Sequence, residues 1–189
     1  PIGEGDATTL TTPDPLSSLS WSPNGLFLAT GVGNRSDAQN SIGAVSLWDL
    51  AGSEPVSILT GPEAAVLTVA WSPDGAWLAA GSADERLYIW DVGTGALNAM
   101  LGQEADVTSV SWSADSTLLA AAGDDGMVYI WRPATGEEVL TINAHPDGRT
   151  LMRWSPDGAL LATGGQDETV VIWNAENGAP VLQLDNLGG

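Results

Sequence analysis

Ala70-Trp71-Ser72-Pro73-Asp74-Gly75-Ala76-Trp77-Leu78-Ala79-Ala80-Gly81-Ser82-Ala83-Asp84-Glu85-Arg86-Leu87-Tyr88-Ile89-Trp90-Asp91 is the stretch that the rest of the chain repeats with changes. One tryptophan series runs Trp21, Trp71, Trp112, Trp154, each followed by Ser and three times by Ser-Pro. A second runs Trp48, Trp90, Trp131, Trp173. Within each of the last three repeats the two tryptophans stand 19 residues apart; in the first they stand 27 apart, so that copy carries 8 extra residues. The second tryptophan advances by 42, 41 and 42. A fixed period of this size means a stacked array of one supersecondary unit, each copy burying its faces against its neighbours.

Each unit reads as four short strands. Val66 to Trp71 alternates large apolar and small residues, the period-2 mark of a strand. Pro73-Asp74-Gly75 turns the chain, since Pro presets φ, Asp bonds its own backbone and Gly supplies positive φ. Trp77 to Gly81 makes a second strand, Ala83-Asp84-Glu85 a second turn, and Leu87 to Trp90 a β-branched and aromatic third strand. Asp91 to Gly95 turns again, and Ala96 to Leu101 is the fourth strand. Nothing in the chain has an amphipathic helical period of useful length.

A period near 42, the recurrent Ser-Pro-Asp-Gly turn, and a third strand closing on Trp-Asp together resemble the WD40 repeat of β-propellers. The resemblance covers roughly residues 7 to 185. It implies an all-β fold of four four-stranded antiparallel blades, in repeats at about 16–60, 64–101, 105–142 and 147–185, with loose ends at 1–6 and 186–189. Propellers run from about four to eight blades. WD40 rings are usually seven or eight, so four blades of this type sweep roughly half a circle. The expectation is one half-domain over 1–189 that a second copy closes into an eight-bladed ring, or that is part of a longer propeller, as the first residue Pro1 also suggests. Ala7–Thr11 and Val181–Leu184 then compete for the outermost place on a terminal blade.

Composition bounds function. The chain of 189 residues is 43% apolar, with 23 Gly and 11 Pro, which fits a turn-dense all-β protein. No apolar run approaches the ~18–20 residues of a membrane span. With no Cys there is neither disulfide nor thiol chemistry, and the redox compartment stays open. The net charge of −19, from 24 acids against 5 basic residues, argues against nucleic acid and anionic membranes and for a cationic partner surface. The same acidity also keeps a protein with 9 Trp soluble.

The WD40 resemblance implies a hydrogen-bonded set in each blade: a His before the first strand, a hydroxyl on the second, an Asp in the next turn, and the third-strand Trp. The Asp falls at Asp84, Asp125 and Asp167, with Ile42 at that place in the first repeat. The hydroxyl position is read as Thr30, Ala80, Ala122 and Thr163, and the His position as Thr12, Pro62, Gln103 and His145. Only the fourth set is complete: His145, Thr163, Asp167, Trp173. The partial sets are Asp84 with Trp90, Asp125 with Trp131, and Thr30 with Trp48. His145 is the only His, so a structural reading is preferred to catalysis or metal binding. Trp77 belongs to neither series, and either fills a gap between blades or stands exposed as an anchor.

The resemblance also places the loops before the first strand, and between the second and third, on one face that commonly binds peptides. That face would carry Glu63, Asp84, Glu85, Glu104, Asp106, Asp124, Asp147 and Glu168, with Arg86 and Arg149 as its main cations. The expected function is a non-catalytic scaffold for a basic protein or peptide; the alternative is a structural propeller subunit without a peptide site. Calcium is the rival ligand, but Gly123-Asp124-Asp125-Gly126 lacks the spaced donors of a calcium loop. No phosphate loop, nucleophile elbow or zinc spacing is present, so neither enzyme activity nor a cofactor is expected. The insertion at Gly31–Gly43 is a polar loop containing the glycosylation triplet Asn34-Arg35-Ser36.

Overall fold

The computed structural model describes residues 9–12, 14–33, 43–49, 54–146 and 148–185. Among the described residues sixteen strands form four antiparallel sheets, each a meander of consecutive strands. The first sheet holds β1 (Leu16–Trp21), β2 (Phe27–Val32), β3 (Ala44–Asp49) and β4 (Ser57–Leu59). The second holds β5 (Val66–Trp71), β6 (Trp77–Ser82), β7 (Arg86–Asp91) and β8 (Leu97–Gly102). The third holds β9 (Val107–Trp112), β10 (Leu119–Gly123), β11 (Met127–Arg132) and β12 (Glu137–Asn143). The fourth holds β13 (Leu151–Trp154), β14 (Leu160–Gly164), β15 (Val170–Asn174) and β16 (Pro180–Leu184). Among the described residues there is no helix. The strands of the second repeat end within a residue of where the alternation placed them.

The sheets stack face to face as blades, their first strands side by side along one inner edge. The core is therefore three apolar layers between neighbours. Val45 and Leu47 of the first blade meet Val66, Val69, Trp71 and Trp90 of the second. Leu87 and Ile89 of the second meet Val107, Val110, Trp112 and Trp131 of the third. Val128 and Ile130 of the third meet Met152, Leu161, Val171 and Trp173 of the fourth. Trp77, left open between gap-filler and exposed anchor, is half-buried in the layer between the second and third blades.

Turn chemistry explains the recurrent motif. Ser72 donates its hydroxyl to Asp74 Oδ1 at 2.5 Å and accepts the Trp77 N–H at 2.9 Å, while Asp74 Oδ1 accepts the Ala76 N–H at 3.0 Å. The same knot forms at Ser22–Asn24, Ser113–Asp115 and Ser155–Asp157. Hydrogen bonds led by the serine hydroxyls hold Asp115 and Asp157 below the usual carboxylate range. The residue after the Asp or Asn sits at positive φ: Gly25, Gly75, Ser116 and Gly158. The Trp-Asp ending is likewise a turn cap, since Asp91 Oδ1 accepts the Thr94 N–H and hydroxyl at 2.8 and 2.9 Å. In the fourth blade Asn174 Oδ1 does the same for the N–H groups of Glu176 and Asn177, so the drift to Trp-Asn keeps the cap.

Two expectations need correction. Ala7 and Thr8 lie outside the described residues, and Thr9–Thr12 form no strand; β16 takes the outermost place on the fourth blade by pairing with β15. The register also moves the hydroxyl position of the third blade. Ala121 lies opposite Tyr129 as Ala80 lies opposite Tyr88, so Ala121, not Ala122, matches Thr163, and Ala122 matches the glycines Gly81 and Gly164. The spacing agrees with the register, since Ala121 stands nine residues after Trp112 as Thr30, Ala80 and Thr163 stand nine after Trp21, Trp71 and Trp154.

Candidate functional site

Two arrangements stand out from the repeat: a polar chain inside the fourth blade, and a loop end rich in carboxylates. The first begins at Trp173 on β15, whose indole N–H donates to Thr163 Oγ1 on β14 at 2.8 Å. Thr163 Oγ1 lies 2.8 Å from His145 Nε2, and His145 Nδ1 lies 2.9 Å from Asp167 Oδ2. His145 is fully buried. A neutral ring with its proton on Nδ1 satisfies every member in sequence: indole to hydroxyl, hydroxyl to Nε2, Nδ1–H to carboxylate. Burial pushes the Asp167 carboxyl up, but hydrogen bonds from His145, the Thr169 N–H and the Thr169 hydroxyl outweigh it and hold the group below its ordinary value. The hydroxyl at His145 Nε2, that of Thr163, is buried and accepts the Trp173 indole N–H, an arrangement suited to fixing strands.

The partial sets differ from one another. In the first blade Trp48 donates to Thr30 Oγ1 at 2.8 Å, and Thr12, at the His position, bonds instead to the Asp14 carbonyl. In the second blade Asp84 and Trp90 are not joined. Trp90 reaches the Thr60 carbonyl at 3.4 Å, while Asp84 Oδ2 accepts the Tyr88 hydroxyl at 2.8 Å and the Glu63 N–H at 2.7 Å. Burial, then the Asp84 hydrogen bond, pushes the Tyr88 hydroxyl up to about 12. In the third blade Asp125 Oδ1 accepts the Met127 N–H, and the buried Trp131 indole N–H has no protein partner among the described residues. Tyr88 and Tyr129 stack on Trp90 and Trp131 with centroids 5.8 and 6.5 Å apart. The signal for this was legible and missed: a Tyr two residues before the Trp occurs only where the second strand carries Ala at the hydroxyl position.

The loop end brings entry loops against second turns, both within a blade and from one blade to the next. The Gln103 N–H of the third blade's entry loop donates to the Glu85 carbonyl of the second blade at 2.8 Å, and the Asp124 N–H donates to the Asp106 carbonyl at 3.1 Å. Glu63, Glu85, Glu104 and Glu168 are exposed, whereas Asp84, Asp106, Asp124 and Asp125 are half-buried. Arg86 pairs with Glu63 at 2.8 Å, an exposed pair that raises the guanidinium's already high pKa and contributes little stability. Arg149 is exposed beside Gly164, Gly165 and Gln166. Asp147 and the inserted segment from Asn34 to Ile42, including the Asn34-Arg35-Ser36 triplet, lie outside the described residues. Among the described residues no cluster of His, Cys, Asp or Glu is placed to hold a metal ion.

Comparison with known proteins accords with this geometry. The family model described as WD domain, G-beta repeat matches residues 7–38, 53–91, 96–132 and 136–174. The Set1 complex component swd1 of Schizosaccharomyces pombe is 32% identical over 81 residues, 43% of this chain and 18% of that protein. WD repeat-containing protein 1 of Gallus gallus is 33% identical over 89 residues, 47% of this chain and 14% of that protein. The matches thus span less than a fifth of either relative.

Proposed function

This chain belongs to the WD40 repeat family, whose members are protein-interaction scaffolds and generally non-catalytic, and on that premise we propose that its loop end holds a basic segment of a partner protein. The observation that carries the reading is the stitching of successive entry and second-turn loops, which brings the exposed Glu63, Glu85 and Glu104 to one end of adjacent blades. With a net charge of −19 behind them, these carboxylates set up a field that attracts and orients Lys- or Arg-bearing chains. Glu168 and Arg149 extend the face onto the fourth blade. In this reading Asp84, Asp125 and Asp167 are structural, each committed to a turn or to the polar chain, and His145, Thr163 and Trp173 hold the blade together.

Calorimetric titration with a Lys/Arg-rich peptide tests it. Binding should weaken steeply between about 50 and about 500 mM salt, as screening shortens the reach of exposed charges. Joint replacement Glu63→Lys, Glu85→Lys and Glu104→Lys should cost at least ~100-fold in affinity at low salt, since like charges then face the peptide. Affinity unmoved by the triple replacement would refute the acidic face. A scaffold that assembles through its blades alone is the second reading, and the open blade faces favour it.

A further inference from the structure

The two end blades expose the two halves of one interface. Within the chain that interface occurs three times; a glycine socket serves two of the three, and in the third Ala122 stands at the socket and the exposed Arg149 at the entering position. The first residue of the inner strand drops into a socket on the preceding blade: Val66 Cγ1 lies 2.6 Å from where a Cβ on Gly31 would stand, and Val107 Cγ1 lies 2.6 Å from a Cβ on Gly81. Three residues on, Val69, Val110 and Met152 are buried in the layer. At two of the three junctions the tryptophan that closes the strand then reaches across, while the buried Trp71 indole N–H has no partner among the described residues. Trp112 donates its indole N–H to the Ala70 carbonyl at 3.1 Å, and Trp154 donates to the Ser111 carbonyl at 2.9 Å, each acceptor being the residue before the previous blade's tryptophan.

In the first blade the same positions are Leu16, Leu19 and Trp21. They point away from the second blade, to which β1 is tied instead by the hydroxyls of Ser17, Ser18 and Ser20. Leu16, Leu19 and Trp21 are 50%, 55% and 50% exposed, where Val66, Val69 and Trp71 are 0%, 6% and 8% exposed. At the other end, the socket of the fourth blade is Gly164. A Cβ there would meet only Val170 Cγ2 and the Thr169 carbonyl of its own blade, at 3.6 and 3.8 Å. Around it lies an open apolar depression lined by Leu151, Ala162 and Val170, continued by the exposed Leu182 and Leu184. The carbonyl matching Ala70 and Ser111 is that of Arg153.

We infer that a second copy of this chain occupies both faces, Leu16 of each seated over Gly164 of the other and Trp21 donating its indole N–H to the partner's Arg153 carbonyl. A face that fits the preceding member of an array fits the last blade of an identical chain. Four blades sweeping half a turn make the head-to-tail contact close after two copies about the ring axis. Contiguous apolar surface of this kind on two sides of one soluble protein marks an association site. The chain's own charge opposes pairing, so added salt strengthens the dimer while it weakens the binding of a basic peptide; the two proposals fail independently.

Sedimentation equilibrium measures it directly. The expected mass is twice the 19.4 kDa of the chain, with the dimer tightening as salt is raised. Gly164→Val fills the socket with its Cβ only in ordinary contact with Val170 and Thr169 of its own blade, and Leu19→Asp charges the opposite face. Each should weaken dimerisation on the order of 100-fold with an unchanged circular dichroism spectrum. Since the chain has no Cys, Leu16→Cys with Gly164→Cys should give a covalent dimer on oxidation. A monomer at tens of micromolar, a ladder of higher oligomers, or a dimer indifferent to both single substitutions would overturn the inference.

Discussion

The second and fourth blades fill the same space between their middle strands in opposite ways. In the fourth, Thr163 faces Val171 across the ladder, and the hydroxyl links Trp173 to His145 and Asp167. In the second, Ala80 faces Tyr88, whose ring lies on Trp90 and whose hydroxyl goes to Asp84. The third blade repeats this pairing with Ala121 and Tyr129, and the first follows the fourth in its hydroxyl, with Thr30 opposite Ser46. A small residue on one strand makes room for an aromatic on the other; a hydroxyl on the first leaves room only for a small or β-branched residue. The middle blades are packed on both sides, so ring stacking and apolar burial hold them without a polar chain. The fourth blade has an apolar layer on one side only, and it carries the complete hydrogen-bonded set.

That contrast can be broken most severely at Gly165. A Cβ there would stand 2.4 Å from His145 Cγ, so Gly165→Ala must displace the ring, and chemical denaturation should show a loss of roughly 3 kcal/mol. Gly102→Ala, where a Cβ meets nothing within 4 Å, is the control and should be near neutral. A silent Gly165→Ala would mean that the His145 chain carries no stability.

Swapping the two arrangements is the next test. Ala80→Thr alone crowds Tyr88 and should cost about 2 kcal/mol, the range for overpacking a well-filled core. Adding Tyr88→Val should recover most of that loss by recreating the Thr163–Val171 pair and giving Trp90 a hydroxyl acceptor. A double-mutant cycle with no coupling would show that the pairing is incidental.

Acid separates the blades more gently. Asp167 is held below its ordinary value in the folded chain, so the stability it contributes is fully present above its unfolded pKa of about 3.9 and is lost as pH falls through the lower folded value. The stability difference between wild type and Asp167→Asn should therefore narrow on acidification from about pH 5 to about pH 2, and a difference that widens would contradict the assignment. The smallest effect is expected at Glu168, which holds φ of 61°. Glu168→Gly relieves left-handed strain but loosens the unfolded chain, for a net gain of about 0.5 kcal/mol in a thermal melt.

Most of the fold was legible because tryptophan spacing and turn residues are local, and β-blades repeat them at a fixed period. Ser72-Pro73-Asp74-Gly75 announced its own hydrogen bonds. The polar chain was legible as a set of residue types at set distances from Trp173, once the WD40 resemblance was drawn. What spacing could not give was cross-strand pairing: without it the second and third blades read as defective copies of the fourth. Tyr88 and Tyr129 were in plain view, but their meaning depends on which residue lies opposite. The indole-to-carbonyl bonds of Trp112 and Trp154 were hidden for the same reason, being contacts between blades more than forty positions apart.

Amide hydrogen exchange followed residue by residue in wild type and His145→Ala reaches the contrast between blades most directly. Protection should fall across β14 and β15 of the fourth blade while β6, β7, β10 and β11 keep theirs, because only the fourth blade depends on the imidazole. Equal loss over all four blades, or none anywhere, would contradict it.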